Sequence, residues 1–174
     1  MSGVRLPQGF CIETLRREHP RRAFRSGQEQ VDDWLASKAY QHQEKHLSVT
    51  RVLIGGDGVV VGYYTLATGQ VDFGDLPADV VRRLPRRRLP VAVLAWLGIQ
   101  EEFQGQGLGR LLLAHALREC YEAGQTFAFI AVVLDCIDDA AKAFYARFDF
   151  REVPGRPYRL FLSAVQLEAM MRGN

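Results

Sequence analysis

The 174-residue chain is poor in cysteine, in lysine and in long apolar runs. Its longest apolar stretches, residues 91–99 among them, are of strand length, which excludes a membrane-spanning helix. The first ten residues carry no apolar core of the signal-peptide kind, so the expected location is the cytoplasm. The three cysteines, Cys11, Cys120 and Cys136, are odd in number and far apart. They fit reduced thiols better than a disulfide framework. Histidine is scarce too. His42 and His46 stand four apart on a predicted helix, but no Cys, Asp or third His lies nearby at ligand spacing. The expectation is a solvated helix face and no metal.

What is present reads as one α/β domain. Hydrophobic residues make up 48% and charged residues 24%, ordinary values for a globular chain long enough to bury a full core. Residues 9–15 predict a first strand and 26–46 a helix, with Ser26 or Gly27 as its cap and Glu29 completing a capping box. Residues 49–54 and 59–66 predict a hairpin around Gly55-Gly56-Asp57-Gly58. Residues 72–90 read as irregular, with three prolines. A strand at 91–99, a second at 126–134, a short helix capped by Asp138 and running to Arg147, a strand at 158–162 and a C-terminal helix opened by Ser163 and Gln166 complete the order.

The densest signal is Gln104-Gly105-Gln106-Gly107-Leu108-Gly109-Arg110. It sits between the apolar strand and a leucine-rich helix. Strand, glycine turn and helix start aim free N–H groups and the positive end of a helix dipole at one place, which suits a pyrophosphate. A Walker loop would need Lys and then Ser or Thr after its last glycine, and Arg110-Leu111 does not supply them. A dinucleotide fingerprint needs a different glycine spacing. Taken alone, the glycines fit a plain strand-to-helix turn equally well.

Gln104, Gly107 and Gly109 form Gln-x-x-Gly-x-Gly, which resembles the acetyl-CoA signature of the GNAT N-acetyltransferases. Residues 138–150, with Ala140, Ala141, Phe144, Tyr145 and Phe150, resemble the segment that closes the cofactor site in that superfamily. Residues 24–35, with Phe24, Ser26, Gly27, Trp34 and Leu35, resemble the GNAT-type toxins of bacterial toxin–antitoxin pairs, and the resemblance covers about residues 10–163. It implies a mixed α+β sheet of the GNAT fold in a single domain spanning 1–174. It implies transfer of an acetyl group from acetyl-CoA to the α-amine of an aminoacyl-tRNA, which blocks translation. It also implies a ribbon-helix-helix antitoxin and a homodimer. Two departures stand out: Trp96 where the family often has Arg, and Asp149 where it usually has Gly.

By the same resemblance, Leu97, Gly98 and Ile99 lie beside the acetyl group and Gln104, Gly105, Gln106, Gly107, Leu108, Gly109 and Arg110 hold the pyrophosphate. Tyr145 matches the general acid, although its position also suits a core aromatic. Glu101, Glu102 and His115 are candidate bases, none compelling. Arg outnumbers Lys nineteen to three. Arg82, Arg83, Arg86, Arg87 and Arg88 crowd one proline-bounded loop, and Arg is the better fork for phosphate. Residues 16–25 hold a second cluster. Either a solvated loop or an RNA-binding patch accounts for them; the resemblance favours RNA. Two other readings remain open: a GNAT enzyme acting on a protein or small-molecule amine, and an inactive GNAT fold that only binds a partner.

Overall fold

A computed structural model describes residues 5–173. Seven strands stand in the order β1-β2-β3-β4-β5-β7-β6. They are β1 (Cys11–Thr14), β2 (Val49–Ile54), β3 (Val60–Val71), β4 (Leu89–Ile99), β5 (Ala131–Asp135), β6 (Arg151–Val153) and β7 (Arg156–Ser163). The helices are α1 (Glu29–Asp33), α2 (Ala39–Glu44), α3 (Ala78–Val81), α4 (Leu108–Gly124), α5 (Asp139–Ala146) and α6 (Ala164–Arg172), and a π-helical turn, Trp34–Lys38, joins α1 to α2. Among the described residues, no helix is long and apolar enough to cross a membrane. The chain divides into two compact units, one of Thr68–Val93 with the chain from Arg118 onward, the other of the chain up to Ala67 with Leu94–Leu117. The divisions fall inside β3, β4 and α4.

In the unit built on the N-terminal part, β1 pairs antiparallel with β2 and β2 with β3. Gly58, at φ +82°, makes the hairpin turn that the glycine-rich tetrapeptide demands. The core gathers Leu15, Phe24, Val31, Leu35, Ala39, Val52, Ile54, Val60 and Tyr63. Sequence reasoning placed the helix start at Ser26 or Gly27. Gly27 instead has φ +88°, outside helical space, and Ser26 Oγ donates to Asp32 Oδ1 at 2.6 Å. The helix begins two residues later, at Glu29, with Gln28 in the cap position.

In the other unit β4 runs parallel to β5 through Ala92↔Val132 and Val93↔Val133, and β7 pairs antiparallel with β5 and with β6. Its core includes Val71, Leu76, Val81, Leu89, Val91, Ala131, Val133, Val153 and Phe161. The stretch expected to be irregular holds a 3₁₀ turn at Phe73–Asp75, fixed by a reciprocal Asp72–Asp75 capping box, and the short α3. The strand expected from residue 126 starts only at Ala131. Thr126 and Phe127 donate their N–H groups back to the Ala123 carbonyl, and Phe127 is 80% exposed. That apolar run closes a helix before it enters the sheet. β6 is too short and polar for any periodicity to reveal. Asp138 caps α5 through Ala141 N at 2.8 Å, and Ser163 with Gln166 forms the capping box of α6, as their side chains predict.

Candidate active site

The glycine bend is held from behind by the segment that precedes α1. Gln104 Nε2 donates to the Ser26 carbonyl at 2.7 Å and to the Ile99 carbonyl at 2.9 Å. Arg25 N donates to Gln100 Oε1 at 2.7 Å, and Glu101 N donates to the Arg25 carbonyl at 2.8 Å. A side chain on Gly27 would meet Glu101 Oε1 at 2.8 Å. The Gln104 side chain is therefore committed to bracing the bend, and its own N–H donates to the Glu101 carbonyl at 3.2 Å. Gly105 and Gly107 have φ of +76° and +79°, and a Cβ on either would meet nothing within 4 Å. These two glycines answer a backbone requirement, and they leave the amides of the bend uncovered.

Residues 104–107 are exposed, Leu108 is buried as the anchor of α4, Gly109 is half-buried and Arg110 is exposed. The 17 residues of α4 carry no acidic residue in the first turn. Its positive end is thus unneutralised by the helix itself and open to an anion. On β4, Ala95, Trp96 and Leu97 are half-buried, and Gly98 and Ile99 are buried. Gly98 has a packing reason of its own, because a Cβ there would lie 2.5 Å from Val31 Cγ1. His115, on α4, shares a 2.8 Å hydrogen bond between its Nδ1 and the hydroxyl of the fully buried Tyr64. This is a satisfied histidine. Glu101 and Glu102 are exposed on a 3₁₀ turn.

Tyr145 and the arginine loop belong to the other unit. Tyr145 is the most buried residue of α5, with Phe144 at 5.1 Å and Phe150 at 5.7 Å between ring centroids. Burial, and secondarily the Cys136 thiol, hold the phenol well above the usual tyrosine range. The group keeps its proton at any physiological pH and can give it but not act as a resting base. After α5, Asp149 takes φ +65°, the left-handed turn that Asp tolerates better than most residues. Arg82, Arg83, Arg86, Arg87 and Arg88 are all exposed, on a loop anchored by buried Val81 and Leu89. Arg88 Nε reaches Asp72 Oδ1 at 3.4 Å, and Arg86 lies over the Phe73 ring at 5.7 Å. Among the described residues, no three His, Cys, Asp or Glu side chains gather as a metal site.

Sequence reasoning missed the brace between residues 24–27 and 100–104, although Gln100 and Gln104 flank the bend visibly. It also missed the pairing of Trp34 with Trp96. Neither leaves a periodic signal, since both join distant parts of the chain.

An exposed glycine bend on an unneutralised helix start, after a strand of this kind, suits an anion. The chain belongs to the acetyltransferase (GNAT) family, whose sequence profile matches residues 11–150. It is 35% identical over 149 residues to a protein of Mycobacterium tuberculosis named tRNA-acetylating toxin, covering 86% of this chain and 89% of that one. Its fold matches the crystal structure of a Tyr-to-Phe variant of KacT with a TM-score of 0.86 and 25% identity, over 94% of this chain and 99% of the other. A structure of AtaT complexed with acetyl-methionyl-tRNAfMet has the same fold, with a TM-score of 0.86 and 23% identity over 93% of this chain and 99% of that one.

Proposed function

We propose that this chain is a toxin that moves the acetyl group of acetyl-CoA onto the α-amine of an aminoacyl-tRNA and so blocks translation. The observation that carries this reading is the open bend at residues 104–107 on the acid-free start of α4, in a chain 35% identical to a tRNA-acetylating toxin. The residues fit a diphosphate: an exposed bend at a helix start, room around Gly105 and Gly107, and Arg110 exposed beside them. Acetyl-CoA supplies the acetyl group as a thioester.

The chain's own residues then have three tasks. The bend and α4 hold the diphosphate. The backbone N–H groups of Leu97, Gly98 and Ile99 stabilise the negative charge that grows on the acetyl oxygen as the amine nitrogen bonds to the carbonyl carbon. Tyr145 gives its phenolic proton to the sulfur as the carbon–sulfur bond breaks, and regains a proton from the new amide nitrogen. Its raised pKa keeps that proton in place at neutral pH, ready to be given. No strong base is required. The amine of an aminoacyl ester is less basic than lysine, so much of it is neutral near pH 7.

Arg82, Arg83, Arg86, Arg87 and Arg88 offer exposed guanidinium groups to RNA phosphates. A ribbon-helix-helix antitoxin and a second copy of the chain are the protein partners this reading carries, and the cytoplasm is its setting. The direct test incubates the purified chain with labelled acetyl-CoA and total charged tRNA, then identifies the labelled ends after nuclease digestion. N-acetyl-aminoacyl adenosine is the expected product. Label found only on protein or small amines would replace the RNA acceptor with another.

A further inference from the structure

The helix that follows the brace is not uniform. It widens into a π-helical turn at Trp34–Lys38. Such turns are rare, cost hydrogen-bond quality and concentrate at functional sites. This one begins at a tryptophan whose ring is held with unusual care. Trp34 Nε1 donates to Thr65 Oγ1 at 3.0 Å, and Thr65 Oγ1 shares a 2.7 Å hydrogen bond with Thr50 Oγ1. Both threonines are fully buried. Thr50 N donates in turn to Gln43 Oε1 at 3.0 Å, and Gln43 Nε2 to the Leu15 carbonyl at 2.8 Å. Buried hydroxyls are costly unless paired, and valine would fill the same space without them. What the relay secures is the plane of one indole.

Trp96, from β4, lies flat on that indole, with 5.4 Å between ring centroids and 15° between planes. Both rings pack against the core of this unit yet stay half-buried. Trp96 also directly precedes Leu97, Gly98 and Ile99, the backbone assigned above to the acetyl group. On that reading, a side chain at this position borders whatever brings the amine.

We propose that Trp96, held by Trp34, determines acceptor specificity by forming an uncharged aromatic wall for the side chain of the aminoacyl group. The inference rests on the aminoacyl-tRNA reading above. An apolar side chain gains by leaving water against two indoles. A carboxylate loses its hydration there and meets the negative face of a π-system. Apolar aminoacyl ends therefore rank above acidic ones.

The test holds the RNA constant. One tRNA body is charged chemically with leucine, methionine, aspartate or glutamate, and kcat/KM for acetylation of each is measured with the full chain and acetyl-CoA. The wild-type protein is expected to prefer the apolar ends by at least about tenfold. Trp96→Arg should erase or invert that ranking while the KM for acetyl-CoA stays within about twofold. Trp96→Phe, which keeps a ring, should retain it. Trp34→Phe and Thr65→Val, which break the relay without removing the wall, should each narrow it. An equal loss for every acceptor, or an unchanged ranking in Trp96→Arg, overturns the proposal and leaves the pair as packing or as a platform for the constant RNA end. Failure of the wild-type chain to acetylate any charged tRNA is a different result, visible before a variant is made, and it removes the aminoacyl-tRNA reading together with this inference.

Discussion

Tyr145 keeps its proton because burial disfavours the charged phenolate: two phenylalanine rings edge against it and a thiol lies near. Removing the hydroxyl leaves the aromatic packing in place. Tyr145→Phe is therefore expected to lower kcat by about 10²–10⁴-fold, the usual worth of a positioned acid. Calorimetry of the same variant should find acetyl-CoA binding unchanged. The sign of the pKa shift adds a constraint. A raised folded-state pKa means that the donor form persists as pH rises, so kcat should show no descending limb from this group between about pH 7 and pH 9.5. A limb in that window that vanishes in Tyr145→Phe would contradict the burial argument. The residue scale was partly legible. Asp138 as a cap follows from its own side chain, and Asp149, where the resembled family usually has Gly, takes the left-handed turn that glycine would. That Gly98 makes room for Val31, and so is glycine for packing, was not legible from local sequence.

The element that matters most is the bend between β4 and α4, and its shape is not self-sufficient. Gln100 and Gln104 tie it to residues 25 and 26, so the segment before α1 acts as a splint. Gln104→Ala strands two carbonyls, those of Ser26 and Ile99, and relaxes the bend. The expected result is an acetyl-CoA Kd raised about tenfold, with a modest fall in Tm. Gln104→Glu should do no better, because a carboxylate cannot donate to those carbonyls. An unchanged Kd in both variants would show that the bend keeps its form without the splint. Periodicity found this bend and α4, because glycine spacing and a leucine-rich face are local. It misplaced the starts of α1 and β5 for different reasons: Ser26 has the residue type of a helix cap but its hydroxyl goes to Asp32, and the apolar run before β5 continues through a turn.

For the whole molecule, a net charge of +2 conceals nineteen arginines, ten of them in the two clusters at 16–25 and 82–88. On the loop after α3 all five arginines are exposed; Arg88 also reaches Asp72 and Arg86 lies over Phe73, which leaves Arg82, Arg83 and Arg87 as the three to reverse. Reversing those three to glutamate should raise the KM for charged tRNA and leave that for acetyl-CoA alone. It should also reduce the slope of log affinity against log salt by about 2–3, close to one unit per lost phosphate contact. Equal salt slopes in the two proteins would make the loop a solvated bystander.

Residue order by itself determined the alternation of strands and helices, the glycine bend, the caps of α5 and α6 and the family. All of these rest on interactions within a few neighbours, where side-chain shape and backbone preference act directly. Only the tertiary structure decided that Gln104 braces Ser26, seventy-eight residues away, that Trp34 lies flat on Trp96, and that burial keeps the proton on Tyr145. Those outcomes depend on which distant surfaces meet and on how much water their meeting excludes, quantities that no local pattern encodes.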